Sequence, residues 1–115
     1  AVIFGVEMEH PEQYGVIEMD GERVVGIEEK PSQPRSHLIQ TGIYMYDEQV
    51  WSHMQQLAPS ARGELEITDL NNVYVREGTM RCETLSGYWI DAGTSHDELL
   101  AANVAVAELR SKGQI

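Results

Sequence analysis

The chain has 115 residues and carries 8 Lys and Arg against 19 Asp and Glu, a formal net charge of −11. That length bounds it to one domain or part of one, and that charge excludes a nucleic-acid-binding surface. The single cysteine, Cys82, excludes an internal disulfide and a thiolate metal cluster. No stretch has the length and apolarity of a membrane span or the pattern of a signal peptide, so a cytoplasmic location is expected.

Ala1-Val2-Ile3-Phe4-Gly5-Val6 predicts a buried strand with no polar lead-in, as expected of a chain that starts in the middle of a larger fold. Val16 to Met19 and Arg23 to Glu29 read as two strands. Asp20-Gly21 between them is a hairpin signal, because glycine permits the positive φ of tight turns. Pro31 ends the second strand, since it cannot donate to a ladder. A polar loop over 31–37 leads to a third strand, Leu38 to Tyr46, rich in β-branched and aromatic residues.

Asp47 is placed to cap a helix reaching about Leu57, with Val50, Trp51, Met54 and Leu57 inward at helical spacing. A second helix is predicted from Glu66 to Glu77, with Ile67, Leu70, Val73 and Tyr74 inward and Gly78 just past its end. Met80 to Leu85 and Tyr88 to Ile90 read as short strands. A last helix runs from about Ser95 to Ser111. Ser95 and Glu98 form a capping box there, and Leu99, Ala102, Val106 and Leu109 form the predicted buried stripe. Together these elements predict one α/β domain over 1–115: a mixed, mostly parallel sheet with flanking helices and one β-hairpin.

The stretch Gly87-Tyr88-Trp89-Ile90-Asp91-Ala92-Gly93-Thr94 ends an apolar run in a carboxylate, just before a glycine turn and a helix start. Ligands of open α/β sheets bind at such an edge, and helix N-termini favour phosphate. Asp91 there can hold a Mg²⁺ or serve as a turn and cap residue. Glu28-Glu29-Lys30-Pro31 puts a cation suited to phosphate and a carboxylate suited to sugar hydroxyls at a strand end. The alternative is a solvated ion pair. By strand alternation Glu28, not Glu29, shares the face of Lys30, unless the chain twists before Pro31. Gly15, after Tyr14, and Gly42, after Thr41, admit close approach of a ligand, or mark a bulge. Arg62 can fork onto a phosphate or pair with Glu64 or Glu66. His10, His37, His53 and His96 show no metal spacing.

Taken in order, Tyr14-Gly15-Val16, Glu28-Glu29-Lys30-Pro31, Thr41-Gly42-Ile43-Tyr44, Arg62-Gly63-Glu64-Leu65-Glu66-Ile67-Thr68-Asp69 and Trp89-Ile90-Asp91-Ala92-Gly93-Thr94 resemble the sugar-phosphate nucleotidylyltransferases. The glucose-1-phosphate thymidylyltransferases are the nearest branch. The resemblance covers nearly the whole chain but only the second half of that family's catalytic domain, a partial Rossmann-like nucleotidyltransferase fold. It implies a reaction joining a sugar 1-phosphate to a nucleoside triphosphate with release of pyrophosphate. The family's glycine-rich nucleotide loop and a second metal-binding aspartate have no counterpart among these residues, so the chain alone is expected to be inactive. By motif position Asp91 would bind Mg²⁺ and Lys30 the phosphates at the reacting centre. Glu29 would bind sugar hydroxyls, Gly15 would do so through its backbone, and Arg62 would hold the sugar's phosphate.

Tyr14, Gln40 and Thr41 complete the implied substrate site. Gln40 stands where the thymidylyltransferases usually carry a small apolar residue, a difference that bears on specificity if its side chain packs on the sugar. An exposed sheet edge and apolar face imply a homo-oligomer, or association with a missing N-terminal half. The alternative reading is a non-catalytic module that binds sugar phosphate or associates with itself. Neither nucleic acid nor membrane is an expected partner.

Overall fold

The computed structural model covers residues 1–115. The first apolar run is strand β1 (Val2–Glu7), and after a 3₁₀ turn at Pro11–Gln13 come β2 (Gly15–Asp20) and β3 (Arg23–Glu29). The predicted hairpin joins β2 to β3, with Gly21 at φ +60° in its turn. β4 (Leu38–Met45) follows the polar loop, then helices α1 (Val50–Gln56) and α2 (Ile67–Glu77), strand β5 (Arg81–Thr84) and helix α3 (His96–Ser111).

The five strands lie in the order β3-β2-β4-β1-β5. The mixed α/β class is as read from the sequence, but the sheet is not mostly parallel. Three of its four pairings are antiparallel, and only β1 with β5 is parallel. A parallel neighbour needs a long crossover. The tight turn makes β2 and β3 antiparallel neighbours, β4 lies antiparallel between β2 and β1, and only β5, reached through α1 and α2, is parallel to its neighbour.

Ile3, Ile17, Val24, Ile27, Leu38, Leu70, Tyr74, Val75 and Met80 form the core between the sheet and α2. Asn72 of α2 grips the edge strand: its side chain accepts from the Ile27 N–H at 3.1 Å and donates to the Ile27 carbonyl at 2.7 Å. Gly78 ends α2 in the left-handed conformation, as predicted.

Several sequence expectations are corrected. Tyr88 to Ile90 is not a strand, because Gly87 at φ +123° turns the chain away from the sheet. On α1 the inward positions are Val50, His53 and Leu57, whereas Trp51 is 69% exposed and Met54 lies outward too. His53 takes the inner place by lying edge-on to Tyr74 at 4.8 Å. On α2, Val75 is buried and Ile67 is exposed. The stripe predicted for α3 is not buried. Ser95 caps the helix by accepting from the Glu98 N–H, yet no residue of α3 is buried, and Leu99 and Val106 are exposed. No helix is long and apolar enough to cross a membrane.

The buried Tyr74 phenol donates to the Asp47 carboxylate at 3.0 Å. Burial, then this carboxylate, pushes the phenol up to about 12 from the ordinary 10. The folded state therefore holds this proton more tightly than the unfolded chain does. The associated stability is complete below pH 10 and lost as pH rises toward 12. Urea titrations at intervals between pH 9 and 12 are expected to show a shallower alkaline loss in Tyr74→Phe than in the parent. Identical slopes would show that Tyr74 is not held this way.

Candidate active site

Gly15, at the start of β2, pairs in register with Glu29, at the end of β3. One residue further, the Lys30 N–H bonds to the Tyr14 carbonyl at 3.0 Å. Lys30 has φ +44°, the only non-glycine residue at positive φ. That conformation breaks strand alternation. Lys30 and Glu29 therefore enter the same cleft of about 430 Å³, and Glu28 does not line it. The twist before Pro31 that reconciles spacing with resemblance is thus present in the backbone.

Tyr14, Gly15, Gln40, Thr41 and Asp91 line the same cleft. Tyr14 and Trp89 meet edge to face at 6.0 Å, which fastens the loop carrying Asp91 to the start of β2. Burial, with Glu98 and Asp91 nearby, pushes the Tyr14 phenol upward, so it stays a neutral hydroxyl. The Thr41 hydroxyl is already committed, donating to the Phe4 carbonyl at 2.9 Å. Lys30 is the only cation lining the cleft, and it makes no ion pair. In a chain of net charge −11, Lys30 is thus an ammonium left without a carboxylate partner.

Arg62 does not line this cleft. It lies in an adjoining one of about 490 Å³, which Glu28, Glu29 and Lys30 also border. Its guanidinium is engaged with Glu64 at 2.9 Å and Glu66 at 3.7 Å. The pairing alternative read from the sequence is therefore realised in this structure.

Asp91 accepts from the Gly93 N–H at 2.9 Å and from the Thr94 hydroxyl. The Thr94 bond first, then the Gly93 bond, hold its carboxyl below the usual range. It is a turn residue and also an ionised carboxylate on the cleft wall. No three His, Cys, Asp or Glu side chains gather as a metal shell. Asp91 still fits Mg²⁺ chemistry as a single ligand, since Mg²⁺ typically takes one or two protein carboxylates plus water and phosphate.

Sequence reasoning missed Thr68 and Asn71. Both are buried on α2 and both bond to Gln40: its Nε2 donates to Thr68 Oγ1 at 2.9 Å, and Asn71 Nδ2 donates to its Oε1 at 2.7 Å. The available signal was the placement of Thr68 and Asn71 three apart, one position after the apolar Ile67 and Leu70. Polar groups on an inner helix face need partners. Gly15 also reads differently in place. A Cβ there would lie 2.1 Å from Gln40 Nε2, so the room glycine leaves is filled by Gln40.

The family model described as Nucleotidyl transferase matches residues 1–108. The chain belongs to this nucleotidyl transferase family. Within it, the chain is 44% identical over 102 residues to glucose-1-phosphate thymidylyltransferase of Neisseria meningitidis, covering 86% of this chain and 35% of that protein. It is 46% identical over 106 residues to the enzyme of the same name from Xanthomonas campestris, covering 90% and 36%. The bifunctional protein GlmU of Methanococcus aeolicus is 37% identical over 101 residues, covering 87% and 24%. A Bacillus anthracis crystal structure assigned as a glucose-1-phosphate thymidylyltransferase, in complex with a sucrose, superposes with a TM-score of 0.82 at 43% identity. It covers 90% of this chain and 42% of that one. The chain thus spans about a third of the length of the curated thymidylyltransferases it matches.

Gly15→Ala is expected to cost about 1–3 kcal/mol of stability, the range typical of overpacking. Most of that cost should vanish when Gln40 is also truncated to Ala. Urea unfolding of the four forms measures this coupling, and strictly additive losses would show that the two residues do not meet.

Proposed function

We propose that residues 1–115 form the sugar-phosphate-binding part of a sugar-1-phosphate nucleotidylyltransferase of the glucose-1-phosphate thymidylyltransferase type. The reaction joins a sugar 1-phosphate to a nucleoside triphosphate and releases pyrophosphate. The observation that carries this reading is the placement of Glu29 and the unpaired Lys30 in one cleft, with Asp91 on its wall. A carboxylate beside a free ammonium matches a ligand that presents hydroxyls at one end and phosphate at the other.

In this reading a sugar phosphate oxygen attacks the α-phosphate in line, and the protein's work is positioning and charge stabilisation. Glu29 accepts from sugar hydroxyls, and the Gly15 backbone, Tyr14, Gln40 and Thr41 border the ring. Lys30 stabilises the phosphates. Arg62 takes the sugar's phosphate after exchanging its Glu64 and Glu66 partners for it. Mg²⁺, with Asp91 as one ligand, would supply neutralisation of phosphate charge. Apolar side chains left exposed on α3, Leu100 and Val104 among them, support association with a second copy or with the rest of a longer catalytic domain.

Calorimetric titration is expected to show binding of glucose 1-phosphate. Lys30→Ala and Glu29→Ala should each weaken it at least tenfold, and Arg35→Ala, which does not line this cleft and removes only an exposed pair with Glu18, should leave it unchanged. Tight binding of thymidine triphosphate with no response to glucose 1-phosphate would reverse the assignment.

A further inference from the structure

A single file of hydrogen bonds runs from the core to the cleft, and each member donates to the next. Tyr46 donates to Asn71 Oδ1 at 2.5 Å, and Asn71 Nδ2 donates to Gln40 Oε1 at 2.7 Å. Gln40 Nε2 donates to Thr68 Oγ1 at 2.9 Å, and the Thr68 hydroxyl donates to Glu29 Oε2 at 2.7 Å. Three of the five are buried: Gln40, Thr68 and Asn71, the last at 0% exposure.

The direction of the file has a chemical consequence. A threonine hydroxyl has one proton. Because Thr68 Oγ1 already accepts from Gln40, that proton goes to Glu29. Glu29 Oε2 is therefore occupied, and the carboxylate is held at one oxygen while the other stays available to the cleft. Turning the Gln40 amide over would set its nitrogen against that of Asn71 and its oxygen against that of Thr68, which then could not donate to Glu29. Glu29, which can only accept, thus sets the polarity of the file, and Gln40 relays it inward from the space left by the missing side chain of Gly15. A file of aligned bonds is also mutually polarising.

We propose that Gln40 is a positioning residue that acts through Thr68 to hold the Glu29 carboxylate as a one-sided acceptor for a hydroxyl donor of the ligand. This rests on the reading of Glu29 as the sugar-binding carboxylate. The site selects ligands that donate a hydroxyl there, and Gln40 governs that selection without meeting the hydroxyl itself.

The test pairs proton NMR with titration of glucose 1-phosphate on the 115-residue chain. The parent should show a slowly exchanging Thr68 hydroxyl proton close to the Glu29 side chain. Gln40→Leu should retain a folded amide spectrum, lose that resonance and weaken glucose 1-phosphate at least tenfold, about 1.4 kcal/mol. Thr68→Val should do the same, while Thr68→Ser, which keeps the hydroxyl, should keep both the resonance and the affinity within about twofold. Retention of the slow Thr68 proton in Gln40→Leu, or affinity unchanged by both Gln40→Leu and Thr68→Val, would overturn the proposal. Absence of glucose 1-phosphate binding in the parent would instead defeat the sugar reading of Glu29, and with it the selection role. The resonance and its loss in Gln40→Leu would still decide the file itself.

Discussion

The seating of α2 on the sheet is the contact on which the rest of the structure depends. Leu70, Tyr74 and Val75 fill the core, and the residues between and beside them hold the polar groups of the strands. Asn72 fixes both backbone groups of Ile27 on the outer strand β3, the strand that ends in Glu29. Thr68 and Asn71 hold Gln40 of β4 from above. Successive helix residues turn by about 100°, so apolar and polar duties fall on neighbouring directions of one helix. Rotation of α2 by a single residue would bring Asn71 where Leu70 belongs and release the edge strand together with Glu29. Packing energy of the core is in this way converted into the position of a surface carboxylate.

The second constraint is local. A non-glycine residue in the left-handed region costs about 1–3 kcal/mol, and Lys30 adopts it. Two things hold it there: the bond from its N–H to the Tyr14 carbonyl, and the burial of Pro31 just after it. The result is a cation and a carboxylate, adjacent in sequence, on the same wall. In a chain of net charge −11 a phosphate is repelled at long range. Lys30 answers that repulsion at short range, and it is unpaired, whereas Arg62 in the adjoining cleft is neutralised by Glu64 and Glu66.

What could be read from the sequence was what local chemistry decides. The Asp20-Gly21 turn, the Gly78 helix end and the Ser95 cap each depend on a few neighbouring residues, and each is found as expected. Of the residues in the motif segments, Tyr14, Gly15, Glu29, Lys30, Gln40, Thr41 and Asp91 share a cleft, while Arg62 lies in the adjoining one. What failed depended on distant partners. Tyr88-Trp89-Ile90 has the composition of a strand but no neighbour in the sheet, and Trp89 packs on Tyr14 instead. The apolar positions of α3 suggested a buried helix, yet nothing in the fold covers Leu99 or Val106. The role of Gln40 was hidden for the same reason: its partners lie 28 and 31 residues further along the chain.

The most direct test of the central claim, that α2 and Lys30 together present one carboxylate and one cation to a single ligand, is a crystal structure of the chain soaked with glucose 1-phosphate. The account predicts a sugar hydroxyl within about 3 Å of the Glu29 oxygen that Thr68 leaves free, with the phosphate against Lys30. A sugar phosphate bound with Glu29 untouched, or with Lys30 turned out to solvent, would contradict it.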